Sequence, residues 1–342
     1  MTNKEDAKNL GYLEVNLFDE MDQGSLSEYM DMEPTVNMDE SQDLEALTNR
    51  LEAMGMWEVM DLPPGMNTVD TKWVLEVKTD ANLVPTKFKA RLMARGFTQR
   101  EGVNYAKIFA PVVPIQSIRG ILAVVAVQDW EIDLVDVKQA YLNLNLHHNI
   151  YLKPPIGTKV PPGKVFKLKK GLYGLKQSGQ EWNTEMDSHF QRIGFHCMPS
   201  TPCLYMRGTG NGITVITAYV NDMLIASPSC KEVDRTKSEI MNKWGMEDNG
   251  RIKEFLGIKI TWDQTQRSIS LDLTAYIKAM VSKWLQRVTE KSWVPMQDIT
   301  VSTRGNICSP SQSKEYQELM GQHLWISNTV QPDISFTVGT LA

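Results

Sequence analysis

The chain has 342 residues, 42% of them hydrophobic and 23% charged, which is enough apolar material for one large domain or two modest ones. No run of about 18 apolar residues exists and the first ten residues are polar and acidic, so neither a membrane helix nor a secretory leader is expected. The net charge of −5 hides an asymmetry: residues 1–60 carry fifteen acids and three bases, while the remainder carries thirty-three bases and twenty-six acids. A mildly basic body suits a polyanionic partner and is equally compatible with an ordinary solvated surface.

Along the chain, residues 1–40 show no sustained period and read as a disordered acidic leader. From Asp43 to Met56 the spacing of Leu44, Leu47, Leu51 and Met54 predicts a helix. Trp73–Val77 alternates like a strand, and Asn82–Pro85 reads as a hairpin turn. Between Lys72 and Arg119 there are nine bases and three acids. Ser117–Val127 predicts a buried helix, and Glu131–Val137 a strand rich in acids. Residues 151–180 hold seven lysines and no acid, and Ser188–Ile193 predicts a helix stopping at Gly194. The β-rich runs Ile213–Val220 and Met223–Ala226 flank the polar pair Asn221-Asp222, which predicts a hairpin with that pair as its loop. Lys231–Trp244 predicts a helix, Phe255–Thr261 and Ser268–Leu273 a strand pair, and Leu273–Val288 a further helix. The cysteines Cys197, Cys203, Cys230 and Cys308 form no CxxC pair, which suits reduced thiols inside a cell.

Two strand-like segments present carboxylates: Asp133 and Asp136 on one, Asp222 on a hairpin tip. A carboxylate on a buried strand is costly unless paired or metal-bound. Carboxylates converging from two strands can hold hard cations such as Mg²⁺, and two such ions roughly 3.5–4 Å apart activate an attacking hydroxyl and stabilise a leaving phosphate. The basic stretches would hold phosphates. Phosphoryl transfer on nucleic acid is one reading of this pattern; strand-end acids facing solvent is the other.

Longer motifs add a resemblance. Lys89-Ala90-Arg91-Leu92 with Arg95-Gly96-Phe97-Thr98-Gln99, then Phe109-Ala110-Pro111-Val112-Val113, resemble blocks of copia-type reverse transcriptases. So do Asp136-Val137-Lys138-Gln139-Ala140-Tyr141-Leu142-Asn143, Tyr151–Gly157, and Leu172-Tyr173-Gly174-Leu175-Lys176-Gln177 with Trp182. Tyr219-Val220-Asn221-Asp222 stands where that family has YVDD, and Phe255-Leu256-Gly257-Ile258 and Pro332-Asp333-Ile334 complete the order. The resemblance runs from Trp57 to Pro295, with a weaker tail to Ala342.

The resemblance implies an α+β right-hand polymerase with fingers, an antiparallel palm sheet and a thumb. It implies a leader over 1–42, the polymerase over 43–297, and over 298–342 the start of a connection toward an RNase H domain. That domain and the integrase, protease and capsid segments are not recognised in this chain, so a fragment of a polyprotein is expected. Asp136, the Val137 carbonyl and Asp222 are implied to hold two Mg²⁺ ions. Lys89 and Arg91 would grip the incoming deoxynucleoside triphosphate, with solvated residues as the alternative. Tyr141 would close the sugar pocket, with a plain core aromatic as the alternative. Lys176 and Gln177 would lie near nucleotide and template, Gly174 would allow close backbone approach, and Leu256 and Gly257 would hold the primer end. Implied partners are an RNA or DNA template–primer and deoxynucleoside triphosphates, with self-association in element particles, in the cytoplasm and with nuclear passage.

The departures are specific. Asn221 replaces the first aspartate of YVDD, an amide oxygen in place of a charged ligand, so catalytic impairment is expected. Leu144 stands where a glycine is usual, His147-His148-Asn149 where acids are common, and Gln180 and Gln331 where arginines are usual. A non-catalytic nucleic-acid-binding remnant and a relic without a maintained role are therefore weighed beside an active polymerase.

Overall fold

The computed structural model describes residues 38–79, 85–156, 158–285, 294–296 and 308–342, and at 38–43, 76–79 and 85–89 the backbone alone. The expected leader lies outside the described residues up to residue 37, as do residues 82–84 of the expected turn Asn82–Pro85, whose last residue opens β4. Helices in chain order are α1 (Met38–Ala53), α2 (Ile115–Gln128), α3 (Ser178–Arg192), α4 (Cys230–Met241), α5 (Thr274–Trp284), α6 (Pro310–Thr329) and α7 (Ser335–Leu341). Strands β1 (Trp57–Asp61), β2 (Thr68–Val69), β3 (Thr71–Thr79), β4 (Pro85–Ala94), β5 (Glu131–Val137), β6 (Tyr151–Leu152) and β7 (Lys164–Leu168) occupy the first half. Strands β8 (His196–Met198), β9 (Thr201–Arg207), β10 (Thr214–Tyr219), β11 (Asp222–Ser227), β12 (Met246–Arg251), β13 (Glu254–Phe255), β14 (Ile258–Asp263) and β15 (Ser268–Asp272) follow. The fold is α+β. No helix among the described residues is long and apolar enough to cross a membrane, and the four cysteines are free thiols.

The chain divides into two compact units that interleave in sequence: one of the residues up to Pro111 with 137–194 and 240–247, the other of 112–136, 195–239 and 248–342. In the first unit, β1, β7, β6 and β2 form a sheet in that order, and β3 and β4 form an antiparallel ribbon. Its core gathers Met56, Trp57, Val69, Leu92, Ile150, Leu152 and Phe166, with Leu51 of α1 and Met54 just after it packed against it. Trp57 stacks on Phe166 at 4.6 Å between ring centroids. Helix α1 begins five residues before the expected Asp43. Residues 188–192 lie in helix α3, which ends just before Gly194 as expected; it starts at Ser178 because Ser178, Trp182, Met186, His189 and Phe190 carry a buried stripe through a polar sequence.

In the second unit, β5, β11, β10, β9 and β8 are successive neighbours in one six-stranded sheet, with β12 on the other side of β5. Strands β10 and β11 are almost wholly buried, which matches their unbroken Val, Ile, Ala and Thr content. Helix α4 presents Val233, Thr236, Lys237 and Ile240 on its buried side. Helix α2 buries Ile118, Leu122, Val125 and Ala126 and ends at Asp129, whose φ of 54° stops the helix in the left-handed region. Strands β13, β14 and β15 form a small separate sheet. The expected strand Phe255–Thr261 is broken in two: Leu256 and Gly257, at φ 54° and 74°, are the two-residue loop between β13 and β14. Two consecutive positive φ values are what a tight hairpin of matching twist requires. The tail beyond residue 308 belongs to this unit, where Arg119 Nη1 on α2 donates to the Asn328 carbonyl on α6 at 3.2 Å.

Candidate active site

Strand β5 has the bounds Glu131–Val137 expected for it. Its antiparallel register with β11 sets Asp136 opposite Asp222 and Asp133 opposite Ile225. Cross-strand partners put their Cβ atoms on one face, about 4.5–5.5 Å apart. Strand β10 meets β11 with Tyr219 opposite Asp222, so the two-residue loop is Val220-Asn221 and not the expected Asn221-Asp222. Asp222 is held in the ladder between two neighbours, and this overrides its preference for a turn. Val220 then takes φ 58°, a conformation that costs a β-branched residue on the order of 1–3 kcal/mol.

This loop carries Asn221 over Asp136. The Asn221 Nδ2 donates to Asp136 Oδ1 at 2.6 Å. A carboxylate only accepts, so the amide must present its NH₂ end there. The arrangement is a pair of facing carboxylates, Asp136 and Asp222, with a neutral amide donating to one of them. The two carboxylates suit a hard divalent cation, whereas the Asn221 N–H points at an oxygen that such a cation would have to share. Among the described residues no group of three or more His, Cys, Asp or Glu side chains is arranged to hold a metal ion. The donor set therefore fits a divalent ion through two carboxylates and falls one charge short of a three-carboxylate site. Val137 closes β5 with its side chain buried.

Asp133 has a different fate. An odd separation on a strand places Asp133 and Asp136 on opposite faces. Lys237 of α4 reaches Asp133 and also Asp248, the latter at 2.9 Å. Burial works against the Lys237 charge, but the hydrogen bonds it donates to Asp133 and Asp248 outweigh it and leave its pKa raised. Asp133, one of the carboxylates considered for metal binding, is thus a structural ion-pair partner. The sequence signal for it was present in α4: a lysine within an apolar stripe needs a buried acid.

In the first unit, Arg91 lies on β4, half-buried in a cleft also lined by Trp73, Gln139 and Tyr173. The Lys89 side chain lies outside the described residues. Tyr141 sits in a 3-10 turn over Ala140–Asn143, edge-on to Tyr173 at 5.2 Å, and burial pushes its phenol pKa up. Asn143 Nδ2 ties that turn together by donating to the Lys138 carbonyl at 3.0 Å. Gly174 has φ 83°, and a Cβ there would stand 2.1 Å from the Ala94 carbonyl oxygen, so only glycine fits.

Gln177 lies inside the first unit. It is 1% exposed and spends its amide inside the protein. Its Oε1 accepts from Gln99 Nε2 at 3.0 Å, and its Nε2 donates to the Asn104 carbonyl at 3.0 Å. Buried and bonded in this way, Gln177 ties together the loop around Asn104. Lys176, beside it, is exposed, with its Nζ 3.1 Å from Tyr105 Oη. The unusual residues are absorbed locally. Leu144 is buried, Gln180 Nε2 bonds Thr184 Oγ1 at 2.9 Å, and His148 Nδ1 lies 3.5 Å from Glu181, whose carboxyl pKa burial raises against the pull of that histidine.

Known proteins match along most of this chain. A family model described as reverse transcriptase (RNA-dependent DNA polymerase) covers residues 54–298. The retrovirus-related Pol polyprotein from transposon TNT 1-94 of Nicotiana tabacum is 30% identical over 320 residues, which is 89% of this chain and 24% of that protein. A putative transposon Ty5-1 protein of Saccharomyces cerevisiae is 33% identical over 210 residues, 61% of this chain and 68% of that protein. The solved structure of a foamy viral protease-reverse transcriptase in complex with double-stranded DNA superposes at TM-score 0.42 with 12% identity, over 90% of this chain and 45% of that one. This chain spans about a quarter of the tobacco polyprotein. It belongs to the reverse transcriptase family, in the form carried by Pol polyproteins of copia-type LTR retrotransposons.

Proposed function

We propose that this chain is the RNA-directed DNA polymerase domain of a copia-type element and that Asn221 has impaired it. In this reading the sheet of the second unit is the palm, the first unit supplies fingers, and the helices after Leu273 begin the thumb and connection. Asp136 and Asp222 would hold Mg²⁺ with the Val137 carbonyl. The metal would activate the primer hydroxyl and neutralise the phosphate being transferred. Arg91 and Lys89 receive the deoxynucleoside triphosphate with Lys176, Tyr141 bounds its sugar, and Leu256, Gly257 and the Gly174 block face primer and template. The working place is the element particle in the cytoplasm, with self-association there and passage to the nucleus.

The observation that carries the reading is the 2.6 Å hydrogen bond from Asn221 to Asp136, beside Asp222. An aspartate at 221 would face Asp136 with a like charge and call for a cation between them. The asparagine satisfies Asp136 without one, so metal and amide compete for the same oxygen. Losing one such electrostatic contact typically costs about 10²–10³ in rate. Primer extension on an RNA template with Mg²⁺ tests this directly: Asn221→Asp should extend on the order of 10²-fold faster than the natural chain. Natural chain within about tenfold of the variant would overturn the impairment. Template–primer binding with no extension by either would favour the nucleic-acid-binding remnant, a reading supported by the basic bias of residues 61–342.

A further inference from the structure

The exposed ammonium of Lys176 is held in an unusual way. It donates to Tyr105 Oη at 3.1 Å and lies 4.7 Å from the centre of the Tyr105 ring. Among the described residues no carboxylate forms an ion pair with it. Both members of this pair are anchored through a ring of buried amides. The Lys176 backbone N–H donates to Gln99 Oε1 at 2.8 Å. Gln99 Nε2 donates to Gln177, and Gln177 Nε2 to the carbonyl of Asn104, the residue before Tyr105. The ring closes when Lys176 Nζ meets the Tyr105 phenol. Gln99, Asn104 and Gln177 are all buried, and their hydrogen bonds are correspondingly rigid.

Fixing a lysine costs rotamer entropy. A surface lysine normally spends that on a carboxylate or stays free. Here it is spent on a neutral oxygen and a π face, neither of which cancels the charge. The phenol oxygen accepts from Lys176, which leaves the phenol proton free to be donated to another acceptor. A fixed cation beside a phenol whose own proton is not spent on the lysine is what a tetrahedral, multiply charged oxyanion takes, although most of Tyr105 itself is buried.

We propose that Tyr105 and Lys176 form a phosphate-binding pair, with Lys176 supplying charge and Tyr105 both holding the ammonium and donating its own hydroxyl proton to the same phosphate. The pair deepens the polymerase reading above and rests on it. The phosphate comes either from the strand backbone of the template–primer or from the incoming triphosphate.

The test is a double-mutant cycle on the full chain, with Tyr105→Phe, Lys176→Met and both together, each checked by thermal melting. Binding of a labelled RNA–DNA template–primer is followed in EDTA at several salt concentrations. The deoxynucleotide concentration for half-maximal extension is measured in the Asn221→Asp background. Tyr105→Phe should weaken one of these ligands by about three- to tenfold when Lys176 is present, and by less than about twofold when it is methionine. A strand phosphate would show as a fall of about one in the salt slope of template–primer binding for Lys176→Met. A triphosphate contact would leave that slope unchanged and raise the half-maximal nucleotide concentration. Equal effects of Tyr105→Phe in both backgrounds, or no effect of Lys176→Met on either ligand, would overturn the pair while the polymerase reading stood. A natural chain that bound neither ligand would overturn both.

Discussion

Asp133 and Asp136 stand three residues apart on one strand and end in opposite situations. Asp133 faces Lys237, a full positive charge on α4, which Asp248 shares. Asp136 faces Asp222 across the ladder and receives a neutral amide from Asn221. A carboxylate that serves the fold has its charge cancelled by the protein. Under the proposed polymerase reading, Asp136 would instead offer its charge to a bound cation. Asn221 moves the second site toward the first: it satisfies Asp136 by hydrogen bonding and lowers the local negative charge by one.

The largest effect separating the two sites lies in activity. In the Asn221→Asp background, Asp136→Asn should lower primer extension by about 10²–10³. Asp133→Asn should lower the melting temperature and leave extension per folded molecule unchanged. Comparable losses of extension from both, at matched folded fractions, would break the distinction and place Asp133 among the residues of the chemistry.

The sequence made one side of this contrast legible and not the other. Acids at 133, 136 and 222 were visible, and β5 formed over the expected residues. The faces follow from strand alternation, but which face meets a cation depends on α4, about a hundred residues away. Polarity points to Asn221-Asp222 as the loop, one residue away from the Val220-Asn221 loop that forms. The ladder from β5 to β11 outweighs that local preference and pushes Val220 into the loop at φ 58°. Gln177 shows the same limit. Its amide partners Gln99 and Asn104 lie over seventy residues away and leave no local trace. The short periods, by contrast, gave α2 nearly whole and the β10–β11 hairpin to within a residue at each end of the loop.

The next effect down is in stability. Lys237→Met leaves Asp133 and Asp248 facing one another without their shared cation. Breaking a fully buried pair costs about 3–5 kcal/mol. The Asp248 side chain is 44% exposed, and solvent screening there reduces the loss to about 2 kcal/mol. Chemical denaturation of Lys237→Met against the natural chain measures it, and a loss below about 0.5 kcal/mol, typical of a surface pair, would mean that Asp133 is no better compensated than Asp136. Asp133→Asn in the Lys237→Met background should cost less than it does in the natural chain, since the charge it removes is by then unpaired.

The smallest effect is the pH dependence of the same triad, and its sign follows from the two shifts. Asp248 has its pKa lowered: burial opposes its charge, but Lys237 and the Gly250 N–H more than offset that. Its contribution is therefore complete above its unfolded value near 3.8 and is lost as pH falls through the lower folded value. Lys237 has its pKa raised, so its contribution is complete below its unfolded value near 10.5 and is lost as pH climbs through the higher folded value. Between those limits the triad adds no slope to stability. Denaturation midpoints of the natural chain minus those of Lys237→Met should form a plateau from mildly acidic to mildly basic pH and shrink at both ends. A difference that instead varied steadily across neutral pH would show that a group titrating near 7 faces Lys237, and that charge cancellation at Asp133 is not the two-carboxylate, one-ammonium arrangement described.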